Sequence, residues 1–331
     1  MEQVIESKIK PKEKKNVMDF VYKYGTFLTI ILLVVYFSIA SESILTKDNI
    51  ITILRSISIV TIIAIGMTVS LTVGGFDLSV GSVASVSVGI VISMFVWYEQ
   101  NTFVAILAAI SVAAVLGLIN AFMIVKVKIP DMLMTLATMF VYQGIALTYS
   151  KGAMISEKMI MPNGLVAPGE ISGVFAKLGK VPWIIIIMFV IVILVHIFLT
   201  YTKHGRYMYI IGGNMEAARL SGINVDRYRI IAYVLSAILA SIGGIILASR
   251  VMTAEVNPGA PYLMDAVAAS YIGLSIGGSG KANAIGTLFG AILIGILQNG
   301  LVMMSVPYYA MDIVKGIVLA FALTLTYYRK K

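Results

Sequence analysis

The sequence predicts an all-α fold: a polytopic membrane bundle of about ten transmembrane helices, with both termini on the cytoplasmic side. Apolar residues make up 59% of the 331-residue chain and charged residues only 12%, whereas charged residues are roughly a quarter of a soluble domain. The mean hydropathy of +0.96 agrees with this composition and excludes a set of soluble domains. Ten apolar stretches are long enough to cross hydrocarbon, which takes about 20 helical residues.

In chain order, the predicted spans are residues 20–40, 50–73, 79–97, 102–125, 132–149, 183–200, 229–250, 262–278, 284–304 and 310–327. The lysines before the first span resemble the start of a signal peptide. That span is long, however, and no Ala-x-Ala-like site follows it, so we predict that it is not cleaved. Residues 1–19 then form a basic cytoplasmic segment, and residues 20–328 form the transmembrane domain.

The basic residues orient the bundle. Most of the 25 lysines and arginines fall in segments that are cytoplasmic if the N-terminus is inside. These segments are the N-terminus, residues 126–128, residues 201–228, the turn at Lys281 and the C-terminus. The positive-inside rule therefore predicts an N-in, C-in topology. The net charge of +9 is explained by orientation, so it does not indicate nucleic-acid binding. With 0 Cys the chain has no disulfide and no thiol chemistry.

Two polar segments interrupt the apolar pattern. Residues 150–181 form an outer loop that is rich in glycine and proline, too rich in turn residues to be another span. Loops of this length are often functional. Residues 201–228 form a cytoplasmic loop that contains Glu216-Ala217-Ala218, a short polar helix signal, with Gly222 at the spacing of a helix C-cap. Either loop could simply link two helices, but a polar helix on the cytoplasmic face favours docking to a soluble partner.

A glycine-rich break separates the second and third spans, in the segment from Leu71 to Ser82. Unwound backbone at membrane depth is tolerated only against protein or a wet cavity, so the break is expected inside the bundle. Asp77 lies in this break. It is equally a functional carboxylate or the N-cap of a helix that starts at Leu78. Asp265 in the eighth span has the same two interpretations, since it can favour its own helix N-terminus.

The other ionisable residues in or near the spans have local explanations. Asp312 and Lys315 are three residues apart, which predicts an ion pair within one helix. His196 has no evident partner in the sequence, so a structural or interfacial role is favoured. Arg55 is expected to extend toward the outer headgroups.

The segment Gly277-Gly278-Ser279-Gly280-Lys281-Ala282 only imitates a phosphate-binding loop. The Walker pattern requires glycine six residues before the lysine and Ser or Thr after it, and here Ser275 and Ala282 occupy those positions. The sequence therefore predicts no ATPase site and no cofactor in this chain. If ATP drives the protein, a separate subunit must bind the ATP and Mg²⁺.

Five segments together carry a resemblance to a known family. They are Gly-Gly-Phe-Asp-Leu-Ser-Val-Gly-Ser (74–82), Ile129-Pro130 with Thr-Leu-Ala-Thr (135–138), residues 211–225, Gly-Gly-Ile-Ile-Leu-Ala-Ser-Arg (243–250) and Asp-Ala-Val-Ala-Ala (265–269). In this order they resemble the ribose-type (monosaccharide) ABC importer permeases, over about residues 20–328. Residues 260–264 and 270–275 depart from the family pattern. This departure bears on the identity of the substrate more than on the kind of transporter.

The resemblance implies a permease subunit in a bacterial plasma membrane that does no covalent chemistry. Its partners would be a second permease copy or homologue, a cytoplasmic ABC ATPase and an extracytoplasmic sugar-binding protein. The residues expected to couple to the ATPase are Asn214, Glu216, Ala217, Ala218, Arg219 and Gly222. Those expected along the translocation pathway are Gly74, Gly75, Phe76, Asp77, Ser79 and Asp265.

Other transporters remain open at this point. Related ABC permeases carry nucleosides, autoinducer-type furanosyl signals or branched-chain amino acids. An ion-coupled secondary transporter is a further alternative, although such proteins usually carry carboxylate relays inside the membrane. A membrane enzyme is disfavoured, since the sequence shows no nucleophile, metal cluster or catalytic dyad.

Overall fold

The computed structural model describes residues 17–161, 164–276, 280–307, 309–317 and 320, with side chains from residue 25 onward. Over these residues the regular structure is helical, apart from isolated β-bridges between Ile155 and Ala254 and between Ile160 and Val166. The helices are α1 (Val17–Ala40), α2 (Lys47–Thr72), α3 (Val80–Val96), α4 (Thr102–Val125), α5 (Asp131–Tyr149), α6 (Gly173–Leu178), α7 (Trp183–Tyr201), α8 (Lys203–Gly213), α9 (Met215–Leu220), α10 (Val225–Val251), α11 (Ala260–Ser275) and α12 (Ala284–Met303). Residues 309–317 are also helical.

The predicted spans match these helices closely. Each of the first nine coincides with one helix to within a few residues at either end. In the part of the chain that is described, six helices are long and apolar enough to cross a membrane: α2, α4, α5, α7, α10 and α12. Residues 25–40 of α1 and the whole of α3 are apolar but shorter. A polytopic helical membrane protein is therefore confirmed, while the count of ten crossings stays a prediction. Residues 277–278 of the eighth span and residues 318–319 and 321–327 of the tenth span lie outside the described residues, as do residues 1–16 of the basic N-terminal segment.

The centre of the bundle consists of α2, α3 and α10. Residues 57–70 of α2 are buried without interruption, and α3 and α10 are buried over most of their lengths. By contrast, α4, α5 and α7 expose large apolar side chains such as Phe103, Phe140 and Leu194. Exposed apolar surface of this extent is expected where helices face lipid, because a membrane protein does not need to hide it from water.

Small residues allow the central helices to approach closely. A Cβ atom added at Gly244 of α10 would lie 2.4 Å from the carbonyl oxygen of Ala84 in α3. One added at Gly117 of α4 would lie 2.8 Å from the Cβ of Ala237 in α10. Such contacts hold membrane helices together through backbone proximity and dispersion forces.

The loops sort into two sets at opposite ends of the bundle. At one end, Lys126 pairs with Asp226 over 3.2 Å, and the Tyr209 hydroxyl donates to the carbonyl oxygen of Ala282 over 2.7 Å. Burial raises the pKa of the Tyr209 hydroxyl, so it remains a protonated donor. At the other end, the Gly169 N–H donates to the Val96 carbonyl over 3.1 Å. Segments predicted on the same side of the membrane therefore lie together. We call the end that holds residues 201–228 the coupling end.

Candidate coupling surface and buried polar network

The helix α9 at the coupling end begins at a side-chain cap. The backbone N–H of Ala217 donates to Oδ1 of Asn214 over 2.9 Å, which satisfies one of the donors that a helix N-terminus leaves free. Glu216 lies in the first turn, where a negative charge is favourable. Its carboxylate pairs with Arg219 over 3.0 Å, and both side chains are largely exposed. A helix of this length therefore depends on its caps and its packing rather than on propensity.

The same helix ends in a Schellman motif at Gly222. Gly222 has a φ of +78°, a left-handed conformation that costs other residues about 1–2 kcal/mol. Its N–H donates to the Arg219 carbonyl over 2.9 Å, and the Ile223 N–H donates to the Ala218 carbonyl over 3.0 Å. This pair of bonds defines the motif. The glycine that was predicted to close the helix does so.

The two alanines of α9 differ in burial. Ala218 is fully buried against the chain's own core, whereas Ala217 is exposed. A contact between Ala218 and a partner, as expected from the sequence, is therefore not available in this structure. Leu220, two positions further on, is 90% exposed, and sequence reasoning missed it. The helical period could have found it, since positions two apart point about 200° away from each other.

The glycine break between α2 and α3 lies at the coupling end and packs against the loop that carries α9. Gly74 has a φ of +74°, and its N–H donates to the Leu71 carbonyl over 3.1 Å. Gly74 is exposed, Gly75 is buried and Phe76 is half-buried. The Phe76 carbonyl accepts from the Thr135 hydroxyl of α5 over 2.9 Å. Protein groups thus hold the backbone of the break, and its depth in the membrane stays a prediction.

Asp77 anchors a buried polar network. Its side chain is fully buried. Its Oδ1 accepts from the Ser79 N–H over 3.0 Å and from the Ser79 hydroxyl over 2.6 Å, and its Oδ2 accepts from the Ser236 hydroxyl over 2.7 Å. Asn120 donates to Ser79 Oγ over 2.9 Å, and the Tyr142 hydroxyl donates to Asn120 Oδ1 over 3.0 Å. The network joins the break to α4, α5 and α10, and a fully bonded network of this kind holds its members in one arrangement.

The helix that follows the break starts two residues later than predicted. The N-cap of α3 is Ser79, and its first residue is Val80 rather than Leu78. Asp77 therefore lies ahead of the cap and holds Ser79 in place, instead of capping the helix itself.

Asp265 belongs to a separate polar cluster. Its Oδ1 pairs with Lys315 over 3.2 Å, and its Oδ2 accepts from Gln298 over 2.8 Å. The predicted pair between Lys315 and Asp312 is also present, at 3.7 Å. Asp265 lies beyond the first turn of α11, so the alternative in which it favours its own helix N-terminus is wrong. Asp77 and Asp265 share no hydrogen-bond partner among the residues that the structure describes.

The remaining candidates play local parts. The Nδ1 of His196 lies 3.3 Å from the Thr200 hydroxyl, so the histidine has a partner one turn away. Arg55 is exposed on α2. No group of three metal-ligating residues occurs within the described ranges.

Comparison with known proteins identifies relatives over almost the whole chain. Residues 49–323 match a family described as the permease component of branched-chain amino acid transport systems. The chain is 34% identical to the ribose import permease protein RbsC of Escherichia coli (strain K12), over 90% of this chain and 91% of that protein. It is 36% identical to RbsC of Bacillus subtilis (strain 168), over 93% of both chains. It is 28% identical to the xylose transport system permease protein XylH of Haemophilus influenzae, over 93% of this chain and 96% of that protein. No solved structure gives a significant match.

Proposed function

Because the chain belongs to the family of branched-chain amino acid transport permease components, we propose that it is the permease subunit of an ATP-driven importer for a ribose-like monosaccharide. Its near full-length similarity to ribose import permeases carries this proposal. The relative named for xylose is more distant. Ribose and xylose are both pentoses, so a pentose is the substrate class that these relatives support best.

The exposed surface of α9 supports coupling to an ATPase. Glu216, Ala217 and Leu220 are exposed on a helix fixed at both ends by caps. An exposed leucine beside a charged pair is the kind of apolar anchor with a polar rim that protein interfaces use. In the proposed importer the ATPase subunit binds ATP and Mg²⁺. Helix α9 transmits the closure of the ATPase to the transmembrane bundle.

The sugar would cross by alternating access. A binding protein that carries the sugar would dock at the end that holds residues 150–181, and ATP-driven closure at the coupling end would then switch the side of the membrane to which the pathway is open. Such a change requires the partners to bind the two states with different free energies. A second permease copy or homologue would complete the pathway. We propose that Gly74 and Phe76 line the translocation pathway, because they are the accessible residues of the break. Gly75, Asp77 and Ser79 would hold the break in the conformation that shapes the pathway.

Orientation can be tested directly, since the natural chain has 0 Cys. We propose ten spans with the coupling end in the cytoplasm. A cysteine at Asn214 and one at Ile160, both exposed, should then react with a membrane-impermeant thiol reagent from opposite sides. Reaction of both from outside intact cells would contradict the topology. Asn163, in the same outer loop, lies outside the described residues.

Uptake by reconstituted vesicles tests the function. We expect binding-protein-dependent uptake of radiolabelled ribose that requires ATP and persists when proton and sodium gradients are collapsed. Uptake that needs a gradient and no ATP would instead identify a secondary transporter. Identification of the ligand on the co-purified binding protein would separate pentoses from nucleosides, furanosyl signals and branched-chain amino acids.

A further inference from the structure

A partly buried ionic cluster joins the first residue of α5 to the first turns of α10. The guanidinium of Arg229 pairs with the carboxylate of Asp131, and the Tyr233 hydroxyl donates to the same carboxylate. The side chains of Arg229 and Asp131 are only 14% and 19% exposed. Arg229 and Tyr233 are four residues apart, so they lie on one face of α10. We call these three residues the relay cluster.

The relay cluster joins α5 directly to α10. Among the described residues these helices have little other contact. Other polar side chains of α5 bond elsewhere. Thr135 donates to the Phe76 carbonyl, the Tyr142 hydroxyl shares its proton between the Leu116 carbonyl and Asn120 Oδ1, and the Tyr149 hydroxyl lies 2.7 Å from Ser93 Oγ. Since α5 packs mainly against α3 and has few buried residues, this cluster is its direct polar contact with α10.

The α10 members of the cluster, Arg229 and Tyr233, are close in sequence to α9, the helix expected to couple to the ATPase. Only residues 221–224 separate α9 from α10. The Schellman motif at Gly222 fixes the end of α9, and Asn224 Oδ1 accepts from the Arg227 N–H over 3.0 Å at the start of α10. A displacement of α9 therefore has a short, hydrogen-bonded route to Arg229, which lies in the second turn of α10.

Gly75 makes room for the cluster. A Cβ atom at this position would lie 2.4 Å from the Tyr233 hydroxyl oxygen and 2.9 Å from Asp131 Oδ2. The glycine break thus contacts the connection between α5 and α10 as well as the loop that carries α9. The glycine break, α5 and α10 are distant in sequence and meet at the Asp131 carboxylate.

We propose that the relay cluster transmits the movement of α9 to α5, with Asp131, Arg229 and Tyr233 acting as positioning residues. This proposal rests on the function proposed above. A partly buried, charge-assisted contact is suited to this task, because separating it leaves a charge without its partner. A second ion pair lies nearby and joins the start of α10 to the end of α4, between Asp226 and Lys126. Its side chains are 41% and 56% exposed, so water and salt can replace it at little cost.

The two ion pairs provide an experiment with a matched control. The assembled importer, with its ATPase and binding protein, is reconstituted, and the ribose transported per ATP hydrolysed is measured. Asp131→Asn and Arg229→Gln should each lower this ratio about tenfold, and the double variant should be no worse than the poorer single variant, because both remove one interaction. Lys126→Gln and Asp226→Asn should change the ratio by less than about twofold. ATPase co-purification should be retained in all five.

A structural role alone would reduce the amount of folded importer and leave the ratio unchanged. A normal ratio in Asp131→Asn, or an equal loss in the Lys126 and Asp226 controls, would therefore overturn the proposal. If Asp131→Asn does not fold, Tyr233→Phe removes one donor and leaves the ion pair in place. It should lower the ratio at unchanged ATPase binding, and a normal ratio in that variant would equally overturn the relay. If the unmodified chain shows no ATP-dependent uptake, the proposed function fails instead.

Discussion

Gly212, near the end of α8, lies directly against the backbone of Thr72 at the end of α2. A Cβ atom at Gly212 would lie 2.3 Å from the Thr72 carbonyl oxygen and 3.1 Å from the N atom of Gly74. The last turn of α8 therefore packs against the glycine break, and α9 starts three residues after Gly212. The coupling loop and the break are packed together, so we expect a movement of α9 to displace the break as well.

This contact predicts a sharp difference between two adjacent glycines. Gly212→Ala should lower the free energy of unfolding by about 1–3 kcal/mol, because an extra methyl group must displace backbone atoms. Gly213→Ala is the control, since a Cβ atom there has nothing within 4 Å. Thermal unfolding in detergent measures both, and uptake should fall only in the first variant. Equal stability of the two variants would show that α8 and the break separate easily.

Leu220 should contribute to binding of the ATPase without contributing to the fold. It is 90% exposed, so Leu220→Ser should change the free energy of unfolding by no more than about 0.5 kcal/mol. Burial of a leucine at an interface stabilises it by about 1.5–3 kcal/mol, so the dissociation constant of the ATPase should rise about tenfold or more. Ile160→Ser, at the opposite end and 72% exposed, is the control. Unchanged ATPase affinity in Leu220→Ser would remove this residue from the interface.

Ala217→Arg and Ala218→Arg should fail in different ways. Ala217 is exposed, so an arginine there should weaken ATPase binding and leave the permease folded. Ala218 is buried, so an arginine there must enter the core, and it should lower the yield of folded permease. Size-exclusion chromatography and ATPase co-purification together separate these results. A folded Ala218→Arg variant with reduced ATPase binding would restore the original assignment of this alanine to the partner contact.

The parts of the structure that depend on local chemistry could be predicted. Apolar stretches of sufficient length predicted the helices, and a glycine at C-cap spacing predicted the end of α9. Asp312 and Lys315 could be paired because residues three apart on a helix are neighbours. Each of these interpretations needs only residues of one continuous segment.

The contacts that organise the candidate site are distant in sequence and could not be predicted. Asp131 and Arg229 are 98 positions apart and lie on different helices, so helical periodicity cannot relate them. The sequence predicted an ion pair of Lys315 with Asp312 only, whereas Lys315 forms its shorter ion pair with Asp265 on another helix. Burial of Ala218 likewise depends on where α8 and α10 place the coupling helix. Helix packing decides these contacts, and the sequence of a single segment does not show how that segment packs against the others.

Asp265 and Asp312 should contribute unequally to stability, although both contact Lys315. The side chain of Asp265 is 11% exposed and that of Asp312 is 89% exposed. Asp265→Asn should lower the free energy of unfolding by about 1–3 kcal/mol, because it leaves the cation poorly compensated. Asp312→Asn, the control, should change it by less than about 1 kcal/mol. Thermal unfolding measures both effects.

Uptake per folded molecule then tests whether Asp265 also belongs to the pathway. If it lines the route of the sugar, uptake by Asp265→Asn should fall further than the amount of folded protein. A loss of stability with normal uptake per folded molecule would restrict Asp265 to holding the last described helix.

Gly222 should be replaceable by asparagine but not by valine. Its φ of +78° is left-handed, and a Cβ atom there has nothing within 4 Å, so backbone strain and not crowding decides the outcome. A valine costs about 1–2 kcal/mol in this conformation, whereas asparagine adopts it more readily. Gly222→Val should therefore loosen the end of α9 and weaken ATPase binding and uptake, while the spans still fold. Gly222→Asn should retain most of both activities. Equal loss in the two variants would mean that the partner needs a glycine at this point for close approach, and equal retention would mean that the Schellman motif does not position α9.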